Sequence, residues 1–223
     1  MIDVANDPGG REQLLALGVR NVPVVAKGKN YVFGQNLEDV AEFVGLAGTG
    51  HKPLPPDQLI KKWIIVLRAL QRYARQMPTQ RINERVIENR DRSIRLLAHH
   101  AFRIGEAYLE SAIDGVEYAV QHANVPPREG TFLTGAEIAG YGEAVIGRLQ
   151  KWWDGLEDKS LSRNMKTYYG MQPMHVVFER STWHSAQHAR QLIHVLDRFG
   201  IEPDGRLTPQ DLAGLPLPER LFE

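Results

Sequence analysis

Two histidines, His184 and His188, stand four residues apart in the run Trp183-His184-Ser185-Ala186-Gln187-His188, inside a stretch with helical periodicity. On a helix, residues i and i+4 lie one above the other on one face, so both imidazoles can reach a single point. Two imidazoles at one point make half of a transition-metal site. His99, on another predicted helix, is the expected third ligand. His100 beside it is turned about 100° around the helix and is the alternative. The flanking Val176, Val177, Phe178, Leu192, Ile193, Val195 and Leu196 are apolar, so the helix has an inward face. An apolar interior rarely admits two imidazoles without partners. The bland reading of the pair, two surface or core residues among eight histidines, stands beside this one. His51, His122, His175 and His194 have no partner at useful spacing and are read as structural or surface residues.

Three neutral imidazoles suit Zn²⁺, Ni²⁺ or Fe²⁺, and ligand type alone does not choose among them; zinc is the first expectation, with nickel or iron as alternatives. Three protein ligands leave one position open, which is the form of a catalytic zinc site. Water held there loses a proton more readily, and a thiol is held as its thiolate. Three polar residues are candidates for catalytic roles. Gln191 follows His188 by three residues and can orient a ligand imidazole or a substrate, or face solvent. Glu106 follows His99 by seven and can accept a proton or form a salt bridge. Arg190 can contact a substrate carboxylate. Trp63, Trp152, Trp153 and Trp183 read as core or rim packing.

The elements that must position these groups fall in two parts. Residues 1–47 read as α/β: a short strand near 1–4, a helix near 12–17, and a hairpin of Val22-Pro23-Val24-Val25-Ala26 with Tyr31-Val32-Phe33. A helix over 37–44 follows, capped by Asn36. These elements are too few to bury a core alone. Residues 48–56, rich in glycine and proline, form a linker. From 57 to 205 the chain is mostly helical. A first helix runs to about Gln76, with Trp63, Val66, Leu67, Leu70 and Tyr73 on its buried stripe. A second opens at Ser93 and stops before Gly115, and a third opens with the capping box of Thr134 and Glu137. Short strands are expected within 160–171, and a fourth helix runs from Pro173 to Gly200. Four long helices with longer connections predict a four-helix bundle. Residues 206–223 read as a packed or draped extension with at most one short turn.

The 223 residues suffice for one medium domain plus a small one. Lys and Arg, 27, balance Asp and Glu, 27, which argues against a phosphate-binding nucleic-acid protein. The cluster of Arg81, Arg85, Arg90, Arg92 and Arg95 reads as a solvated, salt-bridged helix start. With no cysteine, disulfides, Cys-ligated zinc and a thiol nucleophile of the chain's own are excluded. That composition fits a reducing compartment, no apolar run approaches a membrane span, and the N-terminus does not read as a secretory signal. Cytoplasm is the expected location.

The first part resembles the C-terminal half of a glutaredoxin- or thioredoxin-like domain. The residues that carry this are Ile2-Asp3-Val4, Leu14-Leu15-Ala16-Leu17-Gly18-Val19, Val22-Pro23-Val24-Val25, and Gly34 before the second helix. The resemblance implies a cis bond at Val22–Pro23. The family's first strand, Cys-containing loop and first helix have no counterpart here, and Gly34-Gln35-Asn36 departs from the Gly-Phe-Asp-like turn that holds glutathione. Thiol–disulfide chemistry is therefore not expected. A start placed too far downstream would account for a chain that opens inside such a domain.

The helical part resembles the DinB-like superfamily, which includes bacillithiol- and mycothiol-dependent transferases. Ser93-Ile94-Arg95-Leu96-Leu97-Ala98-His99 is similar to the family's helix ending in Leu-Leu-x-His at its first metal ligand. His184-Ser185-Ala186-Gln187-His188-Ala189-Arg190-Gln191-Leu192, with Leu196 and Phe199-Gly200-Ile201, is similar to its His-x-x-x-His helix with a downstream Gln. The resemblance covers 57–205 and implies a divalent metal held by His99, His184 and His188. It implies an enzyme that conjugates a low-molecular-weight thiol to a small electrophile, or a hydrolase on the same metal. The alternative from a different class is a non-catalytic metal-binding stress or interaction protein. A small-molecule thiol and an electrophile are the expected partners, with no nucleic acid and no membrane. A homodimer is an open possibility.

Overall fold

The computed structural model describes residues 2–4, 6–46, 51–85 and 92–221. It is mainly helical, with eight α-helices and two two-stranded sheets among the described residues. The chain divides into two compact units, Met1–Lys52 and Pro53–Glu223. Residue 47, residues 48–50 of the expected linker, and Arg90 of the arginine cluster lie outside the described residues.

The first unit contains α1 (Pro8–Ala16), β1 (Val24–Lys27), β2 (Asn30–Phe33) and α2 (Leu37–Phe43). Asp7 caps α1 by accepting the Gly10 N–H at 3.1 Å, and Pro8 occupies a first-turn position that needs no donor. β1 and β2 are antiparallel, with Val24 opposite Phe33 and Lys27 opposite Asn30. Gly28 turns the hairpin at φ +64°. The Val22–Pro23 bond is cis. The strand expected near 1–4 is not formed at 2–4. The Asp3 carbonyl instead accepts the N–H groups of Asn6 and Asp7, and a turn closes where a strand needs extended backbone. Val19 is the one buried hydrophobic side chain among the unit's described residues, in keeping with a unit too small for a core of its own.

The second unit is built on α3 (Pro56–Gln76), α4 (Ile94–Asp114), α6 (Gly135–Asp154) and α7 (Met174–Arg198). Between and after them lie α5 (Val120–Ala123), the antiparallel pair β3 (Asn164–Thr167) and β4 (Gly170–Pro173), and α8 (Pro209–Leu212). Pro56, expected in the linker, is the first residue of α3. The local signals act as anticipated. Ser93 Oγ accepts the Leu96 N–H, Gly115 ends α4 at φ +70°, and Thr134 Oγ1 accepts the Glu137 N–H. The capping box is modified, because Glu137 reaches back to the Leu133 N–H and not to Thr134. The single turn α5 had no clear sequence signal.

Both α3 and α4 pack against α6 and α7. Trp63, Val66, Leu67, Leu70 and Tyr73 form the inward stripe of α3 and are fully buried. The Trp63 ring meets Tyr108 and Phe178 edge-on, at centroid distances of 5.7 and 5.1 Å. Gly135 lets the start of α6 touch the end of α3: a Cβ there would lie 1.8 Å from the Ala74 carbonyl oxygen. Gly135→Ala must therefore push two backbones apart, and should cost about 3 kcal/mol, the upper range for overpacking. A shift of the urea midpoint at constant slope measures it, and an unchanged midpoint would show that the crossing yields easily.

The C-terminal extension belongs to the second unit. The Tyr73 hydroxyl accepts the Leu207 N–H and donates to the Gly205 carbonyl, and Lys62 Nζ donates to the carbonyls of Gln210 and Asp211. Thr208 and Asp211 cap α8 reciprocally. Among the described residues no helix is long and apolar enough to cross a membrane.

Candidate metal centre

α7 carries His184 and His188 on one face, and α4 packs beside it. The α4 residue that meets them is His100. One ring nitrogen from each of His100, His184 and His188 lies within 4.8 Å of the other two, a grouping that could hold a metal ion. The ring centroids are 5.4 Å apart for His100–His184, 4.9 Å for His100–His188 and 4.8 Å for His184–His188.

His99, the expected third ligand, is turned away. Its ring stacks on Tyr141 of α6 at 5.1 Å and 13°, and lies 5.2 Å from Phe132. Consecutive helical residues are separated by about 100°, so α4 can send His100 to α7 only by sending His99 toward α6. The correction is a rotation of one helix by one residue.

Hydrogen bonds set the tautomers of two cluster imidazoles. His100 Nδ1 lies 2.7 Å from the Ala123 carbonyl oxygen. That oxygen can only accept, so Nδ1 carries the proton and Nε2 keeps its lone pair. His188 Nδ1 lies 2.7 Å from Gln191 Oε1, and the amide is oriented by its Nε2, which donates to the Leu221 carbonyl at 3.0 Å. Gln191 thus accepts from His188 Nδ1 and leaves Nε2 as the basic nitrogen. His184 Nδ1 is sealed from solvent with no hydrogen-bond partner. Burial, followed by the nearby His188, holds His100 and His184 well below the ordinary imidazole range, so both are neutral and competent as ligands at pH 7.

The other expected site residues separate. Gln191 is in the cluster's hydrogen-bond shell, tied to His188. Replacing it by alanine should lower metal affinity by about 10–100-fold, the usual cost of losing such a partner. Competition with a chelating dye reads this out, and unchanged affinity would show that His188 does not depend on Gln191. Arg190 points to the C-terminal tail, donating to Gln187 and to the carbonyls of Pro218 and Glu219. Glu106 lies on the His99 side, where it accepts from the Tyr141 hydroxyl at 2.6 Å and pairs with Arg103 and Arg148. Those engagements place Glu106 in a salt-bridged network apart from the three imidazoles. A depression of about 340 Å³ is lined there by His99, Arg103, Glu110, Pro127 and Phe132, among others.

These histidines also make stability depend on pH. Burial and then the Arg103 guanidinium push His99 down to about 4. With His99, His100 and His184 all depressed, the unfolded chain takes up protons first as pH falls. The metal-free protein should therefore keep this stability above about pH 6.5, the ordinary histidine value, and lose it progressively below that, the share of His99 by about pH 4. Urea midpoints across that window test this. His99→Phe should lessen the slope, and a flat profile would contradict it.

Comparison with protein-family models, curated proteins and solved structures found no match to this chain.

Proposed function

We propose that this chain is a DinB-like four-helix-bundle enzyme that holds one divalent ion, zinc first, on His100, His184 and His188. It uses that ion to conjugate a low-molecular-weight thiol to a small electrophile. The observation that carries the reading is the convergence of three imidazoles, two of them fixed with Nε2 basic, at one buried point between α4 and α7. The donor set fits a borderline-soft divalent ion, and three protein ligands leave a position for a small molecule. When bound, such an ion lowers the pKa of a thiol and supplies it as a thiolate at neutral pH.

The chain's own residues do the rest. Ala123 and Gln191 hold the His100 and His188 rings and keep their Nδ1 protons out of the cluster. Trp63 Nε1 donates to Ser185 Oγ at 3.1 Å, and Ser185 Oγ donates to the Ala101 carbonyl at 3.2 Å. This buried chain fixes α7 against α4 beside the histidines. With no cysteine in the sequence, the first unit supplies no thiol–disulfide chemistry of its own.

The test is metal analysis of the purified protein, followed by assays with glutathione, mycothiol or bacillithiol and a chromogenic aryl halide. Metal-dependent conjugation that is lost on chelation and in His188→Ala supports the reading. One bound metal with no conjugation or hydrolysis would replace it with the non-catalytic metal-binding protein.

A further inference from the structure

Arg180 lies one helical turn before His184 on α7, and its side chain is not used by the metal centre. The guanidinium lies in the electrostatic field of the hydroxyls of Tyr118, Tyr168 and Tyr169. Among the described residues it forms no ion pair with a carboxylate. Its Nε is sealed from solvent and has no hydrogen-bond partner. The Tyr169 hydroxyl, carried by the β3–β4 turn, is likewise sealed and unpartnered, and Tyr169 is only 7% exposed. His184, in the same neighbourhood, lies in the electrostatic field of both Arg180 and Arg92.

A buried donor without a partner costs about 1–3 kcal/mol, and more when it is charged. Two such groups beside a three-imidazole cluster indicate what the surroundings are built to receive. Arg Nε–H can only donate, and a tyrosine hydroxyl can donate, so the matching group is an acceptor. The positive charge and the planar fork of the guanidinium select an anion, and a planar carboxylate fits the fork. A phosphate dianion is less well matched, since one guanidinium leaves it short of compensating charge.

We propose that Arg180 and Tyr169 form a carboxylate-binding subsite beside His184, so that the thiol taken by this centre is one that carries a carboxylate. The inference rests on the metal reading above. The subsite orients the ligand by its anionic end while the sulfur faces the imidazole cluster. Selectivity then arises from a charge the neutral thiol lacks, and a site built to bond a polar group discriminates strongly against an analogue without it.

The experiment uses the full chain loaded with cobalt(II) and titrated with mercaptoacetate and with its neutral isostere 2-mercaptoacetamide. Sulfur-to-cobalt absorption in the near ultraviolet is the readout. The wild type should bind mercaptoacetate at least about 10-fold more tightly than the amide. In Arg180→Gln that ratio should fall to about 1, while cobalt still binds one per chain. Tyr169→Phe removes a single hydroxyl, should fold normally and should reduce the ratio several-fold, so the proposal remains testable if Arg180→Gln does not fold. Equal affinities in the wild type, or an unchanged ratio in both variants, would overturn the subsite and leave the metal reading standing. Failure of the wild type to bind cobalt would overturn the metal reading and the subsite with it.

Discussion

Substituting His100 by alanine should abolish stoichiometric metal binding, whereas His99→Ala should leave one metal per chain. The two residues are neighbours in sequence and equally buried, at 6% and 5% exposure, so loss of packing alone predicts similar damage from both. Only their directions differ. His100 faces His184 and His188, and His99 faces Tyr141. With one of three protein ligands gone, the loss should exceed the roughly 10–100-fold that removal of an outer hydrogen-bond partner costs. Removing His99 should cost stability through its ring contacts with Tyr141 and Phe132. Metal analysis after dialysis, with circular dichroism to confirm the helices, separates the outcomes. Metal retained in His100→Ala and lost in His99→Ala would restore the ligand set expected from sequence.

Trp63→Ala should be the most destabilising single change in the second unit. The indole is fully buried, meets Tyr108 and Phe178, and donates to Ser185. Truncating a buried tryptophan to alanine typically costs about 3–5 kcal/mol, through lost transfer energy and the cavity left behind. Ser185 still has the Ala101 carbonyl as an acceptor, so the cavity dominates over an orphaned hydroxyl. The consequence should reach the metal centre, because Ser185 follows His184 and Ala101 follows His100 in sequence. A fall in thermal midpoint together with weaker metal binding is expected. A stable variant with the midpoint of the wild type would show that the aromatic layer repacks without strain.

The elements of the second unit follow from local chemistry. Pro56 and Asp57 start α3, Ser93 and Gly115 bound α4, Thr134 opens α6, and Pro173 and Gly200 bracket α7. Each signal acts within a turn or two of itself, so it reads directly from the chain. The spacing of His184 and His188 belongs to the same class, since helix geometry alone puts them on one face. The third ligand does not. α4 is buried around most of its circumference, and its apolar positions form no single narrow stripe that tells one face from the next. Whether His99 or His100 meets α7 depends on how α4 rotates between α6 and α7, which packing over the whole core decides. The same holds for Gln191, whose amide is oriented by a carbonyl 30 residues further along, and for Arg180, placed among tyrosines of distant segments. It holds for Glu106 and Arg190, drawn into ion pairs and tail contacts that no short window contains. Sequence by itself determined the four long helices of the second unit, their ends and the presence of a paired-imidazole face. Tertiary structure decided which side chains share the point that face looks onto, because helix rotation is a property of the packed core and not of any one segment.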